Sequence, residues 1–131
     1  MTELEIRSYK ESDFMEIRQL TAAEGWHNLA ARSEEWQAAW RSSQIALVAL
    51  AEGELAGYVR GLTDGVVTLY ICELLVRPAC RGLGAGKALL QRAHALYPET
   101  RMEMLASSTS HTYYEARGFR PFYGFRKTMN E

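Results

Sequence analysis

The stretch Val76-Arg77-Pro78-Ala79-Cys80-Arg81-Gly82-Leu83-Gly84-Ala85-Gly86-Lys87-Ala88-Leu89-Leu90 joins an apolar, strand-like run to a helix-like one through a loop of alternating glycines. Arg81 and Lys87 flank those glycines. Glycine lets backbone N–H groups approach a ligand with no Cβ in the way. A helix that starts right after such a loop adds unpaired N–H groups and the positive end of its dipole. The segment therefore reads as an anion site with phosphate as the obvious guest. Two phosphate loops do not fit it. A P-loop needs Gly, four residues, then Gly-Lys-Ser/Thr; here Ala88 follows Gly86-Lys87 and Arg81 stands where the first glycine belongs. Without the metal-binding hydroxyl, nucleotide hydrolysis is not expected. The dinucleotide fingerprint fails because Lys87 sits where its last Gly or Ala belongs.

The spacing that is present, Arg/Gln-x-x-Gly-x-Gly/Ala, is filled by Arg81-Gly82-Leu83-Gly84-Ala85-Gly86. It resembles the pyrophosphate loop of the GCN5-related N-acetyltransferases (GNAT), which bind acetyl-coenzyme A. Downstream, Tyr113-Tyr114-Glu115-Ala116-Arg117-Gly118-Phe119 is similar to the same family's Phe/Tyr-Tyr-x-x-x-Gly-Phe signature. There a short helix ends at a glycine able to take the left-handed conformation, and the chain turns into a strand. An ordinary helix stop explains Gly118 and Phe119 but does not demand a tyrosine four residues earlier. The two motifs stand in the family's order and, with their flanking elements, cover most of the chain. The resemblance implies one N-acetyltransferase domain over residues 1–131. It also implies an α/β fold whose mixed central sheet is splayed between its fourth and fifth strands, with acetyl-coenzyme A as cofactor.

Composition sets the outer limits. A chain of 131 residues can bury one α/β core and is too short for two ordinary domains. Hydrophobic content of 47% and charged content of 24% are globular values. Net charge is −1 with no basic run, so nucleic acid and anionic membrane are not expected partners. No run approaches the roughly 20 apolar residues that span a bilayer. The start, Met1-Thr2-Glu3-Leu4-Glu5, lacks the basic-then-apolar pattern of a signal peptide. Cys72 and Cys80 have no metal spacing and read as reduced thiols of a cytoplasmic protein. No metal is expected, and the oligomeric state is left open, a homodimer included.

Periodicity gives the element order. Residues 4–9 alternate as a half-buried strand, and Ser12 can cap a helix over 13–23 with Phe14, Ile17 and Leu20 on one face. Ser33 can cap a second helix over 34–42, and the link 24–32 reads as a loop. Runs 45–51 and 54–62 form a hairpin about Glu52-Gly53, and Thr63-Asp64-Gly65 turns into a strand over 66–76. After the glycine loop, a helix ends before Pro98. A strand over 101–106, a helix over 109–117 and a terminal strand region over 119–129, interrupted by Gly124, complete the order β-α-α-β-β-β-α-β-α-β. That is the order the family would have.

Acetyl transfer from a thioester needs a neutral amine, a donor at the thioester oxygen and a proton for the leaving thiolate. Glu73 is the candidate base, the one charged residue in 66–76. An ionised carboxylate in an apolar strand is costly unless it is paired or faces a wet cleft, so the alternative is an ion-paired or outward-facing glutamate. Some family members carry an acid near this point as a base acting through water. Glu103 is the reserve candidate. By resemblance Tyr114 stands where the family has its general-acid tyrosine; the alternative is a core aromatic. Tyr113 lies about 100° round the helix and cannot share that role. His111 suits neutral pH but, at a helix start, reads as a surface residue.

The cofactor set follows the loop. Backbone groups of Leu74, Leu75 and Val76 can pair with the pantetheine arm as an added strand edge. Backbone N–H groups of Arg81, Gly82, Leu83, Gly84, Ala85, Gly86 and Lys87 would hold the pyrophosphate. Ser107 falls where many family members have a cofactor-contacting Asn. Trp26 and His27 lie in the loop that walls the family's acceptor site, against core packing for Trp26 and a solvated His27. No Cys or Ser sits in an activated-nucleophile context, which favours direct transfer to the amine of a small molecule or peptide. A catalytically silent acyl-coenzyme A sensor and a protein-interaction module are the alternatives. The stretch from Glu103 to Ser110 is faintly similar to part of the aminoglycoside 6′-acetyltransferases, too short a match to name an acceptor.

Overall fold

Short links decide most of the sheet. Glu52 and Gly53 both have positive φ (52° and 81°), the geometry of a tight hairpin turn whose twist matches its strands. They join β2 (Ile45–Ala51) to β3 (Glu54–Thr63). Asp64 then accepts hydrogen bonds from the N–H groups of Val66, Val67 and Thr68 and turns the chain into β4 (Thr68–Val76). In this computed structural model, which describes residues 3–107 and 110–131, β1 (Leu4–Ser8) pairs antiparallel with β2. β5 (Arg101–Met104) pairs parallel with β4, giving one mixed sheet in the order β1-β2-β3-β4-β5.

A parallel neighbour needs a crossover, and α4 (Ala85–Leu96) supplies it. Leu89, Leu90 and Ala93 of α4 bury against Leu47, Val59, Leu69 and Ile71 on one face of the sheet. α1 (Phe14–Ala23), α2 (His27–Ala31) and α3 (Ser33–Ser42) precede β2. Phe14, Ile17, Trp36 and Trp40 from α1 and α3 cover the other face with Val48, Tyr58 and Leu75. Both faces are covered, so β2 and β3 are apolar almost throughout and show little alternation. The buried Thr21 hydroxyl is shared between the Ile17 carbonyl and the Tyr58 hydroxyl, each at 2.7 Å.

Several expectations need correction. Neither serine caps its helix. Asp13 instead accepts the Lys10 N–H at 2.7 Å and two bonds from Arg7. Ser33 is already helical, behind Arg32. The link 24–32 contains the short helix α2, and β5 stops at Met104 rather than residue 106. The terminal strand over 119–129 is absent: the segment carries no ladder, and Phe122, Tyr123 and Phe125 stand in solvent. Pro121 lacks a ladder donor, and neighbouring apolar residues at 122 and 123 cannot share one face of a strand. Helix α5 is His111–Glu115; Thr109, expected to open it, and the Met1-Thr2 start lie outside the described residues. Among the described residues no helix is long and apolar enough to cross a membrane.

Candidate active site

The strand leading into the glycine loop is bulged. Arg60 pairs with Glu73 and Gly61 with Ile71, so Cys72 is the extra residue on β4. An extra residue flips the alternation of side chains beyond it. Leu69 and Ile71 accordingly pack on the α4 face, whereas Glu73 and Leu75 point to the α1/α3 face. A continuously apolar run gives no periodic sign of such a flip.

Glu73 is 8% exposed and fully engaged. Arg60 Nε donates to Oε1 at 2.7 Å and Arg60 Nη2 to Oε2 at 2.6 Å. Trp36 Nε1 donates to Oε1 at 3.0 Å. Of the two readings of Glu73, the ion-paired one is the arrangement found. Sequence reasoning missed both partners, although Arg60 could have been found as the charge in the apolar run of β3. Burial pushes the Cys72 thiol up, against the opposing field of Arg60.

β4 and β5 pair only from Thr68 to Ile71 on β4, so the β5-facing edge of residues 72–76 has no strand partner among the described residues. This split lies between the fourth and fifth strands. Leu74 and Val76 turn their side chains to the α4 core and Leu75 to the other, leaving backbone at the open edge. The edge runs directly into the loop. A turn of 310 helix, Pro78–Cys80, is followed by Gly82 and Gly84, both at φ 86° with open space where a Cβ would stand. The first backbone bond of α4 runs from Ala88 N–H to Gly84 C=O at 2.9 Å, so the N–H groups of Ala85, Gly86 and Lys87 precede any intrahelical acceptor. Leu83 projects outward from the loop. At its threshold the Arg77 Nε is buried with no partner among the described residues. These are features of a cradle for a diphosphate on an amide-bearing arm, and residues 74–76 and 81–87 fit coenzyme A.

Helix α5 meets the start of α4 through Tyr113. The Tyr113 hydroxyl abuts Gly86, where a Cβ would collide with it, and Arg117 stacks over the Tyr113 ring at 4.1 Å. Tyr114, half-buried against Phe119, lines a cavity of about 1140 Å³ together with Lys87, Glu103, Leu105 and Ala106. Burial, then the nearby Tyr113, raises the Tyr114 phenol above its ordinary value. Ahead of α5, the Ser107 hydroxyl lies 2.9 Å from Ser110 Oγ and accepts the Ser110 N–H at 3.1 Å. Trp26 on the α1–α2 connection and His27 at the start of α2 are exposed, and Glu24 ties that connection to Arg81 of the loop by an ion pair at 2.7 Å. His111 is exposed and pairs with Glu115.

A family model described as an acetyltransferase (GNAT) domain matches residues 7–130. No curated protein matches the sequence. Among solved structures, the chain is similar to a GNAT-family acetyltransferase from Streptococcus pneumoniae TIGR4, with 20% identity, 100% of both chains covered and a TM-score of 0.80. An aminoglycoside N-acetyltransferase in complex with CoA matches at 16% identity over 97% of this chain and 96% of that one, TM-score 0.75. A predicted acetyltransferase with acetyl-CoA from Clostridium acetobutylicum matches at 12% identity over 96% of each, TM-score 0.73. At these identities the likeness to solved structures is one of fold.

Proposed function

The chain belongs to the GNAT acetyltransferase family, and from that premise we propose that it moves an acetyl group from acetyl-coenzyme A directly to the amine of a small molecule or peptide. One observation carries the reading: the open edge of residues 72–76 runs into a glycine loop at whose end the N–H groups of Ala85, Gly86 and Lys87 precede any helical acceptor. Leu74, Leu75 and Val76 offer backbone groups to the amides of the pantetheine arm. The N–H groups of Gly82, Gly84, Ala85, Gly86 and Lys87, with the Arg81 and Lys87 side chains, take the diphosphate, while the N–H groups of Arg81 and Leu83 already donate to the Pro78 and Cys80 carbonyls and shape the loop. Ser107 keeps the start of α5 in place beside that arm.

When bound, acetyl-coenzyme A supplies an activated acyl group. The chain then has to manage two protons. Tyr114, held protonated by its buried setting, gives one to the departing thiolate. Glu73 is sealed by Arg60 and Trp36, so its role is to fix those two side chains beside the bulge. Glu103 lines the cavity that Tyr114 lines and is exposed; it takes the proton from the amine. Trp26 and His27 form the acceptor-side wall. The raised Cys72 thiol is a poor nucleophile at neutral pH, which supports direct transfer over an acyl-enzyme.

The test is thiol release from acetyl-coenzyme A across a panel of amines and peptides, with calorimetry of coenzyme A alone. Turnover with an amine sustains the proposal. Binding without turnover on any amine would make the chain a silent sensor. Absence of binding at high micromolar ligand would leave the fold to serve protein contact.

A further inference from the structure

The glycine loop and the acceptor-side connection are far apart in sequence, yet one ion pair joins them. Arg81 Nη2 donates to Glu24 Oε1 at 2.7 Å. Glu24 is not on a loose loop. Gly25, at φ 88°, ends α1 with two backbone bonds, from Gly25 N–H to the Ala22 carbonyl and from Trp26 N–H to the Thr21 carbonyl. That double bond pattern around a left-handed glycine is a rigid helix stop. Beyond it the Trp26 carbonyl accepts the Ala30 N–H, and Arg18 Nε on α1 donates to the Ala30 carbonyl at 3.0 Å. The Glu24 carboxylate is therefore presented from a fixed frame, with a side chain only 19% exposed, while Arg81 is 60% exposed.

Arg81 uses one nitrogen on Glu24, and among the described residues its Nε and Nη1 have no protein partner. A guanidinium has five donors in a fixed fork, so it can hold a carboxylate on one edge and a phosphate on another. Resting on the acetyl-coenzyme A reading above, we propose that Glu24 is a positioning residue. It holds Arg81 against the glycine loop with its remaining donors toward the diphosphate, and so links cofactor binding to the α1–α2 connection that carries Trp26 and leads into His27. Filling the donor side then tightens the Arg81–Glu24 link and damps the remaining local opening of the connection beside the amine. Effects between the two sites run equally in both directions, because the link is a shared free energy.

The experiment follows amide hydrogen exchange of residues 24–32 in the full chain, with and without saturating coenzyme A. Emission from Trp26 is the parallel signal, isolated by subtracting Trp26→Phe. In the wild type, coenzyme A should slow exchange of 24–32 at least about fivefold, the low end of ordinary coupling between sites. It should also shift Trp26 emission. In Glu24→Gln and Glu24→Ala, coenzyme A still binds through the loop backbone, but both responses should fall below about twofold. A ligand response that is unchanged in both variants, or absent in the wild type despite calorimetric binding, overturns the link and leaves the acetyl-coenzyme A reading standing. No coenzyme A binding to the wild type overturns both.

Discussion

Arg60 grips Glu73 across the β3–β4 ladder with two parallel hydrogen bonds, at 2.7 and 2.6 Å, on side chains only 12% and 8% exposed. A charge isolated in an apolar strand would be expensive. A charge met edge-on by a guanidinium, with an indole N–H on the same oxygen, is satisfied, and the three groups tie α3, β3 and β4 together. Breaking such a pair from one side costs more than the pair contributes, because the other charge is left buried.

Glu73→Ala should therefore destabilise the fold by about 3–5 kcal/mol in urea unfolding, and a Glu73→Leu, Arg60→Met double variant should recover much of the loss. Glu73→Gln keeps an acceptor oxygen and should cost less. Its pH–rate profile should keep the wild-type shape, whereas Glu103→Gln should lose rate chiefly at low pH, where little amine is deprotonated. A reshaped profile in Glu73→Gln with none in Glu103→Gln would return the base to Glu73.

Asp13 gives a stability prediction with a definite sign. Burial works against its ionisation, but Arg7 and the Lys10 N–H outweigh it and hold the carboxyl below its ordinary value. A folded pKa below the unfolded one contributes stability above the unfolded value of about 3.9, and that contribution is lost as pH falls toward the folded one. Asp13→Asn should be less stable than wild type at pH 7 by roughly 1–3 kcal/mol, with the gap closing below about pH 4. A gap constant from pH 7 to pH 3 would assign the loss to packing.

What the sequence discloses here is what is local. The Glu52-Gly53 hairpin, the glycine loop and the α5 stop at Gly118 each declare themselves within a few residues, because backbone conformation there is set by glycine and by charge. The bulge at Cys72 is invisible, since apolar side chains on both sides of it suit both covered faces. The environment of Glu73 depends on Trp36 and Arg60, 37 and 13 residues away, and only tertiary packing brings them together. Residues 119–129 look strand-like in composition, yet a strand forms only where an edge accepts it and its alternation suits a face.

Gly84 and Gly86 should fail differently. Gly84 has φ 86° and open space beside it, so Gly84→Val pays backbone strain, on the order of 1–2 kcal/mol, and sets side-chain atoms over the cradle. It should fold, with coenzyme A affinity down about 10–100-fold as loop hydrogen bonds are lost. A Cβ at Gly86 collides with the Tyr113 hydroxyl. Gly86→Ala should displace α5, and adding Tyr113→Phe should restore part of both stability and affinity. No rescue by Tyr113→Phe would place the defect within α4 itself.

Tyr114→Phe keeps the ring on Phe119 and removes only the proton. Stability and coenzyme A affinity should change little, while kcat falls roughly 10²–10⁴-fold if thiolate departure limits the rate. Tyr113→Phe should leave kcat near wild type. The two rings meet edge to face at 5.2 Å, but the Tyr113 hydroxyl abuts Gly86 whereas Tyr114 lines the cavity with Glu103. The pH dependence follows from the raised Tyr114 pKa: its acid form persists to higher pH than in an ordinary tyrosine, so the wild-type rate should not fall on the alkaline side below about pH 10 through this group. An alkaline limb near pH 8 that disappears in Tyr114→Phe would contradict that setting. Equal losses in the two variants would remove Tyr114 from the proton path.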